Sequence, residues 1–243
     1  MDKVLLSCPS RMRPHRLKEM LASYAETRSA GTDLVIYIDN DEPLLMEYLS
    51  LKMPVGARME THDRTYLAHI HNNIINDNSG YDYYMPVNDD IIFRTQGWDE
   101  KLVDTIKTKG SGWGIAYGND LAGNHRYDLP TFGMVSGHII RTLGYVYPPE
   151  VYALFGDTFL LDLGRAIGKI FYNPDVIIEH KRVLDYMDDY RASLEFDKRD
   201  RKAYASYFDS GNFDRDVDKI FSCIITGVCI EKNLGIPTSI ARM

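Results

Sequence analysis

Tyr83-Tyr84-Met85-Pro86-Val87-Asn88-Asp89-Asp90-Ile91-Ile92-Phe93 is the stretch on which the fold turns. Its first half is an aromatic and β-branched run bounded by Gly80 and by a polar cluster, which predicts a short buried strand rather than a helix. Two adjacent carboxylates at the carboxyl end of a strand repel each other and lose part of their hydration. Something must offset that, and a divalent cation is the simplest candidate. The carboxyl ends of strands in open α/β sheets are also where ligands bind. Asn-Asp-Asp is equally ordinary turn punctuation, so the triplet by itself leaves both readings open.

Working outward from this strand, the same pattern recurs. Residues 4–7 read as a strand that Pro9-Ser10-Arg11 breaks before a helix with Leu17, Met20, Leu21 and Tyr24 on one face. Residues 33–41 form a second apolar run ending in Asp39-Asn40-Asp41, followed by a helix to about Leu51. Two such units with near-continuous apolar strands predict a parallel sheet covered on both faces. Residues 53–61 look like a Pro- and Gly-punctuated connection, and 66–75 like the helix that delivers the chain to the central strand.

Beyond Phe93, Asp99 and Glu100 near a helix start complement its dipole. Trp98 reads as a packing residue, with an aromatic platform for a ligand as the alternative. Residues 114–120 predict a fourth strand, and 131–140 a glycine-rich segment where backbone approaches a ligand. A helix over 155–168 carries Asp157 at its start, and 170–172 with 176–178 form a last strand pair ending at Glu179-His180. From Asp185 the texture changes to polar helices and loops up to about Asp218, then an apolar helix near 220–230. The expected organisation is an α/β domain over 1–184 with a C-terminal helical extension over 185–243.

Composition narrows the function classes. With 243 residues, 44% hydrophobic and 26% charged, the chain can bury a substantial core. A net charge of -7 offers no general attraction to a polyanion, so any nucleic-acid contact would need a local patch. Cys8, Cys223 and Cys229 are odd in number and lack metal-type spacing, which suits free thiols in a reducing, cytoplasmic setting. The N-terminal apolar run from Val4 is too short for a signal h-region, and no stretch approaches the length of a membrane span.

The order of these features resembles the GT-A nucleotide-sugar glycosyltransferases, closest to small family-2-like enzymes of bacteria and tailed phages. The resemblance covers about residues 3–182: strand into Ser7-Cys8-Pro9-Ser10-Arg11, strand into Asp39-Asn40-Asp41, central strand into Asn88-Asp89-Asp90, then Gly97-Trp98, Gly156-Asp157 and His180. It implies a mostly parallel GT-A sheet with helices on both faces. The acidic triplet corresponds to the family's DxD motif, with Asn88 replacing its first Asp and Pro86 as a second departure.

From the resemblance follow the expected roles. Asp90 and His180 would hold Mn²⁺ or Mg²⁺, the imidazole favouring Mn²⁺. The first loop from Pro9 to Arg13, above all Pro9, Ser10 and Arg11, together with Asp39, Asp41, Asn88 and Asp89 would frame the nucleotide-sugar donor, with Arg11 on the pyrophosphate. Asp157 stands where inverting members carry the general base, and His138 and Asp120 are weaker candidates on the same side. The expected acceptor is a hydroxyl on a saccharide or small molecule. The basic and aromatic stretch 198–208 keeps a second acceptor in view, hydroxymethylated bases of DNA, although acidic neighbours argue against it. Two further alternatives are a nucleotidyltransferase and a non-catalytic nucleotide-binding protein.

Overall fold

Strand Val4–Pro9 (β1) enters helix Pro14–Thr27 (α1) and returns as Thr32–Asp39 (β2), the first of the expected β-α units. The structure, a computed structural model, describes residues 2–121, 129–181 and 187–227, with 187–195 as backbone only. After the short helix Leu45–Leu49 (α2) come strand Ala57–His62 (β3), helix Leu67–Asp77 (α3), strands Tyr83–Pro86 (β4) and Ile91–Phe93 (β5), and helix Trp98–Gly110 (α4). Strands Ile115–Asn119 (β6) and Met134–Ser136 (β7), helices Gly137–Leu143 (α5) and Gly156–Ala166 (α6), and strand Ile170–His180 (β8) follow. Helices Met187–Asp209 (α7) and Asn212–Thr226 (α8) complete the described chain.

Among the described residues the sheet has the order β3-β2-β1-β4-β7-β6-β8-β5. Strands β3, β2, β1 and β4 are mutually parallel, β7 runs antiparallel to both β4 and β6, and β8 is parallel to β6 and antiparallel to β5. Successive β1 side chains face opposite sides, as the pleat requires. Leu6 and Cys8 pack with Leu17, Met20 and Trp98 under α1 and α4, whereas Leu5 packs with Ile70, Phe159 and Ile220 under α3, α6 and α8. Trp98 is fully buried and stacks on Phe93 at 4.5 Å, the packing role expected for it.

Pro86 is tolerated for a readable reason. Tyr83 and Val87 donate their backbone N–H groups toward β1, so the nitrogen of Pro86 points toward β7. There the ladder has already ended at Tyr84, and no donor is missed.

Four sequence expectations need correction. Residues 57–62 form a sheet-edge strand parallel to β2 rather than a connection. Its alternation of Ala57, Met59 and Thr61 with Arg58, Glu60 and His62 is half polar, as an outer strand tends to be, and is preceded by Pro54 and Gly56. The glycine-rich 131–140 segment becomes β7 and α5. An added Cβ on Gly137 would stand 2.7 Å from the Tyr81 carbonyl oxygen and 2.8 Å from that of Asp82, so the close approach is to the chain's own backbone. The last strand pair is one strand, β8, whose pairing with β6 shifts register at Gly118; a Cβ there would lie 2.4 Å from the Val176 carbonyl oxygen.

The last correction concerns the polar C-terminal stretch, which is nearly continuous helix. α8 starts at Asn212 and buries Phe213, Asp216, Ile220 and Cys223 at helical spacing. Tyr207, Phe213 and Ile220 belong to the same core cluster as Leu5 and Val35 of the sheet. The boundary expected at 184/185 and Cys229 lie outside the described residues, while Cys8 and Cys223 are buried free thiols. Among the described residues no helix is long and apolar enough to cross a membrane.

Candidate active site

The carboxyl ends of β1, β2 and β4 open into a cleft of ≈ 670 Å³. Pro9, Ser10, Arg11, Asp39, Asn88 and Asp90, all expected at the site, border it. A second cavity of ≈ 210 Å³ holds Asp157 and His180 and shares Leu67, Asn88 and Ala153 with the first. Asn88 therefore stands at the junction of two contiguous spaces.

Asp89 faces neither space. It is fully buried, accepting a hydrogen bond of 2.6 Å from Ser10 Oγ and pairing at 2.8 Å with Arg13 Nη2. Tyr48 extends the network, its hydroxyl lying 2.8 Å from Ser10 Oγ and accepting the Arg13 backbone N–H at 2.8 Å. Burial pushes the Asp89 carboxyl up to about 6, with Arg13 and Ser10 pulling the other way. This middle residue of the triplet clamps the β1 loop to the end of β4.

Asp90 behaves oppositely. Burial works to raise it, but His180, Arg13 and Arg16 together outweigh that and hold the carboxyl below its usual range. Strand pairing brings the partner in, because β5 and β8 align Ile91 with His180. His180 Nε2 lies 3.4 Å from Asp90 Oδ1, and Arg16 Nη1 lies 3.8 Å from Asp90 Oδ2.

These two side chains fit a divalent cation. Among the described residues Asp90 Oδ1 is buried with no hydrogen-bond partner, and 3.4 Å is long for a hydrogen bond to His180. Adjacent ligands around such an ion, each at about 2.1 Å, stand about 3 Å apart. Among the described residues no three His, Cys, Asp or Glu side chains form a ready metal centre. A site completed by substrate phosphates needs only one or two protein ligands.

Arg11, expected on the pyrophosphate, is engaged by Asp39 Oδ2 at 2.8 Å and Asp41 Oδ1 at 2.7 Å. Burial works against its charge, but the bonds to these two carboxylates raise the guanidinium further. Asp41 is 57% exposed and reaches the site through Arg11, which holds its carboxyl below the usual range. Asp157 lies in the first turn of α6, where its Oδ1 accepts the Thr158 N–H at 2.8 Å. Asp120 accepts the Thr131 hydroxyl at 2.9 Å. His138 stacks on Trp113, and neither residue borders the two cavities.

Arg13 borders the cleft at the end of the loop expected to frame the donor, whereas Arg16, behind it, was not anticipated. Both flank the carboxylates from the start of α1, against the preference for acidic groups at a helix N-terminus. That inversion was a legible signal. Tyr37, stacked on His62 at 4.3 Å, and Tyr66 with Phe196 give the cleft aromatic walls, and Arg64 adds a cation. The 198–208 stretch does not offer an aromatic platform: Tyr207 is buried, and Tyr204 and Phe208 pack against the core.

His71 borders the second cavity, with Nδ1 2.7 Å from Ser7 Oγ. Burial lowers its pKa to about 3, so the ring is neutral in the folded protein. The folded value lies below the ordinary 6.5, so its contribution to stability is full above 6.5 and is lost as pH falls toward 3. The limiting slope is ~1.4 kcal/mol per pH unit. Denaturant unfolding from pH 6.5 to 5 should show the native protein losing up to ~2 kcal/mol relative to His71→Gln. Parallel pH profiles would contradict the assignment; Asp89, which titrates in the opposite sense, is present in both proteins.

No protein-family model matches the chain, and no curated protein does. Solved structures do. The mannosyltransferase PcManGT from Pyrobaculum calidifontis, in complex with GDP-Man and Mn²⁺, aligns with a TM-score of 0.59 at 10% identity, covering 93% of this chain and 75% of that one. Residues 1–349 of S. aureus TarS align at 0.53 and 13% identity, covering 72% of this chain. Glucosyl-3-phosphoglycerate synthase from Mycobacterium tuberculosis, with Mn²⁺, UDP and phosphoglyceric acid, aligns at 0.56 and 13% identity over 76% of this chain and 73% of that one. The chain spans 59% of the TarS fragment's length. At these identities the likeness establishes the fold, which is the GT-A fold expected from the strand-end motifs.

Proposed function

We propose that the chain is a nucleotide-sugar-dependent glycosyltransferase that moves a sugar to a hydroxyl acceptor with Mn²⁺ or Mg²⁺. One observation carries the reading: Asn88, Asp90 and His180 meet where a nucleotide-sized cleft joins a smaller cavity containing Asp157. PcManGT binds GDP-Man with Mn²⁺, and TarS is known with UDP-GlcNAc, both on this fold.

Each residue has a chemical task. Asp39 and Ser10, beside Tyr37, hold the nucleoside, and Asn88 reaches donor hydroxyls from the junction. Asp90 and His180 would hold the cation, which when bound neutralises charge on the departing diphosphate. Arg13 and Arg16 keep Asp90 ionised and oriented. Asp157 accepts the proton of the attacking acceptor hydroxyl.

Incubation with UDP- and GDP-sugars, Mn²⁺ and a mixture of simple glycosides should release nucleoside diphosphate. Release of nucleoside monophosphate or pyrophosphate would instead identify a nucleotidyltransferase.

A further inference from the structure

Helix α7 reaches back across the chain to the segment that leads into α6. Asp200, fully buried, accepts the backbone N–H groups of both Ala153 at 2.7 Å and Leu154 at 2.8 Å through Oδ2. Ala153 borders both cavities, and Leu154 through Asp157 border the second. The neighbouring Arg199 lies over the Tyr152 ring at 3.5 Å, and the Tyr152 carbonyl accepts the N–H of Ala68 in the first turn of α3. Phe196, one turn earlier on α7, forms part of the donor-cleft wall.

The backbone beside this contact is strained. Phe155 sits at φ 68, a left-handed conformation that a bulky side chain rarely adopts, immediately before Gly156 and Asp157. Such a conformation persists only where the surroundings over-determine it. Those surroundings are again α7: Tyr204 stacks on the Phe155 ring at 5.2 Å, and Arg201 lies 5.3 Å from the ring centre. Asp200 and Tyr204, one turn apart, thus grip the three residues that precede the start of α6, Ala153 and Leu154 through their N–H groups and Phe155 through its ring.

We propose that α7 is part of the active site, with Asp200 a positioning residue that fixes segment 153–157 and so sets where Asp157 stands relative to an acceptor. The proposal rests on the glycosyltransferase reading for its chemistry, although the mechanical part stands alone. Two consecutive backbone N–H groups on one buried carboxylate form a charge-assisted anchor, and its removal leaves both donors unpaired. The segment then loses its register while the donor strand ends keep theirs. Asp157 loses aim, and the donor is wasted on water.

The test uses the full-length protein and its Asp200→Asn and Asp200→Ala variants. Amide hydrogen exchange at residues 152–157 should rise at least ~10-fold in Asp200→Ala and less in Asp200→Asn, with β1 and β4 unchanged. Transfer to acceptor should fall at least ~10-fold while the donor KM and donor hydrolysis without acceptor stay within about 3-fold, shifting the transfer-to-hydrolysis ratio. Unchanged exchange in both variants would overturn the anchor. Raised exchange with transfer, hydrolysis and donor affinity falling together would overturn the positioning role and leave Asp200 merely structural. Absence of nucleoside diphosphate release by the native protein would overturn the glycosyltransferase reading, with the anchor still decided by exchange.

Discussion

Asp90→Asn is expected to lower turnover at least ~10²-fold, because it removes the ionised cleft-facing carboxylate beside His180 that a cation supporting the leaving diphosphate would use. The substitution keeps size and hydrogen-bonding capacity and changes only charge. His180 would then face a neutral amide, and Arg13 and Arg16 would lose a shared counter-charge. A fold defect is separable from a lost ligand: the variant should unfold cooperatively with little change in midpoint, since the clamp between the β1 loop and β4 is made by Asp89. Full activity of the variant in the presence of chelator would remove the metal assignment.

Asp157→Asn should suppress transfer by ~10²- to 10⁴-fold, the span usual for a lost general base, with the donor KM within a few-fold of the native value. The separation of the two cavities makes this prediction specific. Asp157 borders the smaller space, whereas Asp39, Arg11 and Ser10 border the larger. Equal loss of donor affinity and transfer would place Asp157 in the donor site or in the support of α6 instead.

Much of the site was legible because strand ends concentrate polar residues after apolar runs. Asp39, Asn88, Asp90 and His180 stand out for that reason; parallel pairing brings the ends of β1, β2 and β4 together, and the antiparallel β5–β8 pair brings His180 to Asp90. What stayed hidden depends on side-chain direction. The triplet does not say which of two adjacent carboxylates turns inward, and Asp89 and Asp90 divide into a buried clamp and a cleft-facing carboxylate only through Ser10, Arg13 and His180. The family resemblance put Arg11 on the pyrophosphate, yet two neighbouring carboxylates engage it.

The fold shows the same limit. The edge strand β3 was missed because it mixes polar with apolar residues and none of them is fully buried, and β7 because a three-residue strand has no periodicity to detect. The link between α7 and the segment before Asp157 spans 47 residues of sequence and rests on backbone N–H groups, which no side-chain pattern reveals.

Asp90 and His180 are proposed as the pair that joins a cation to the donor's diphosphate, and calorimetric titration of UDP and GDP tests that role most directly. With Mn²⁺ present, one of the two nucleotides should bind the native protein at least ~10-fold more tightly than after chelation, and His180→Ala should require more Mn²⁺ for the same binding. Equal affinity with and without chelator, together with an unchanged Mn²⁺ requirement in His180→Ala, would contradict it.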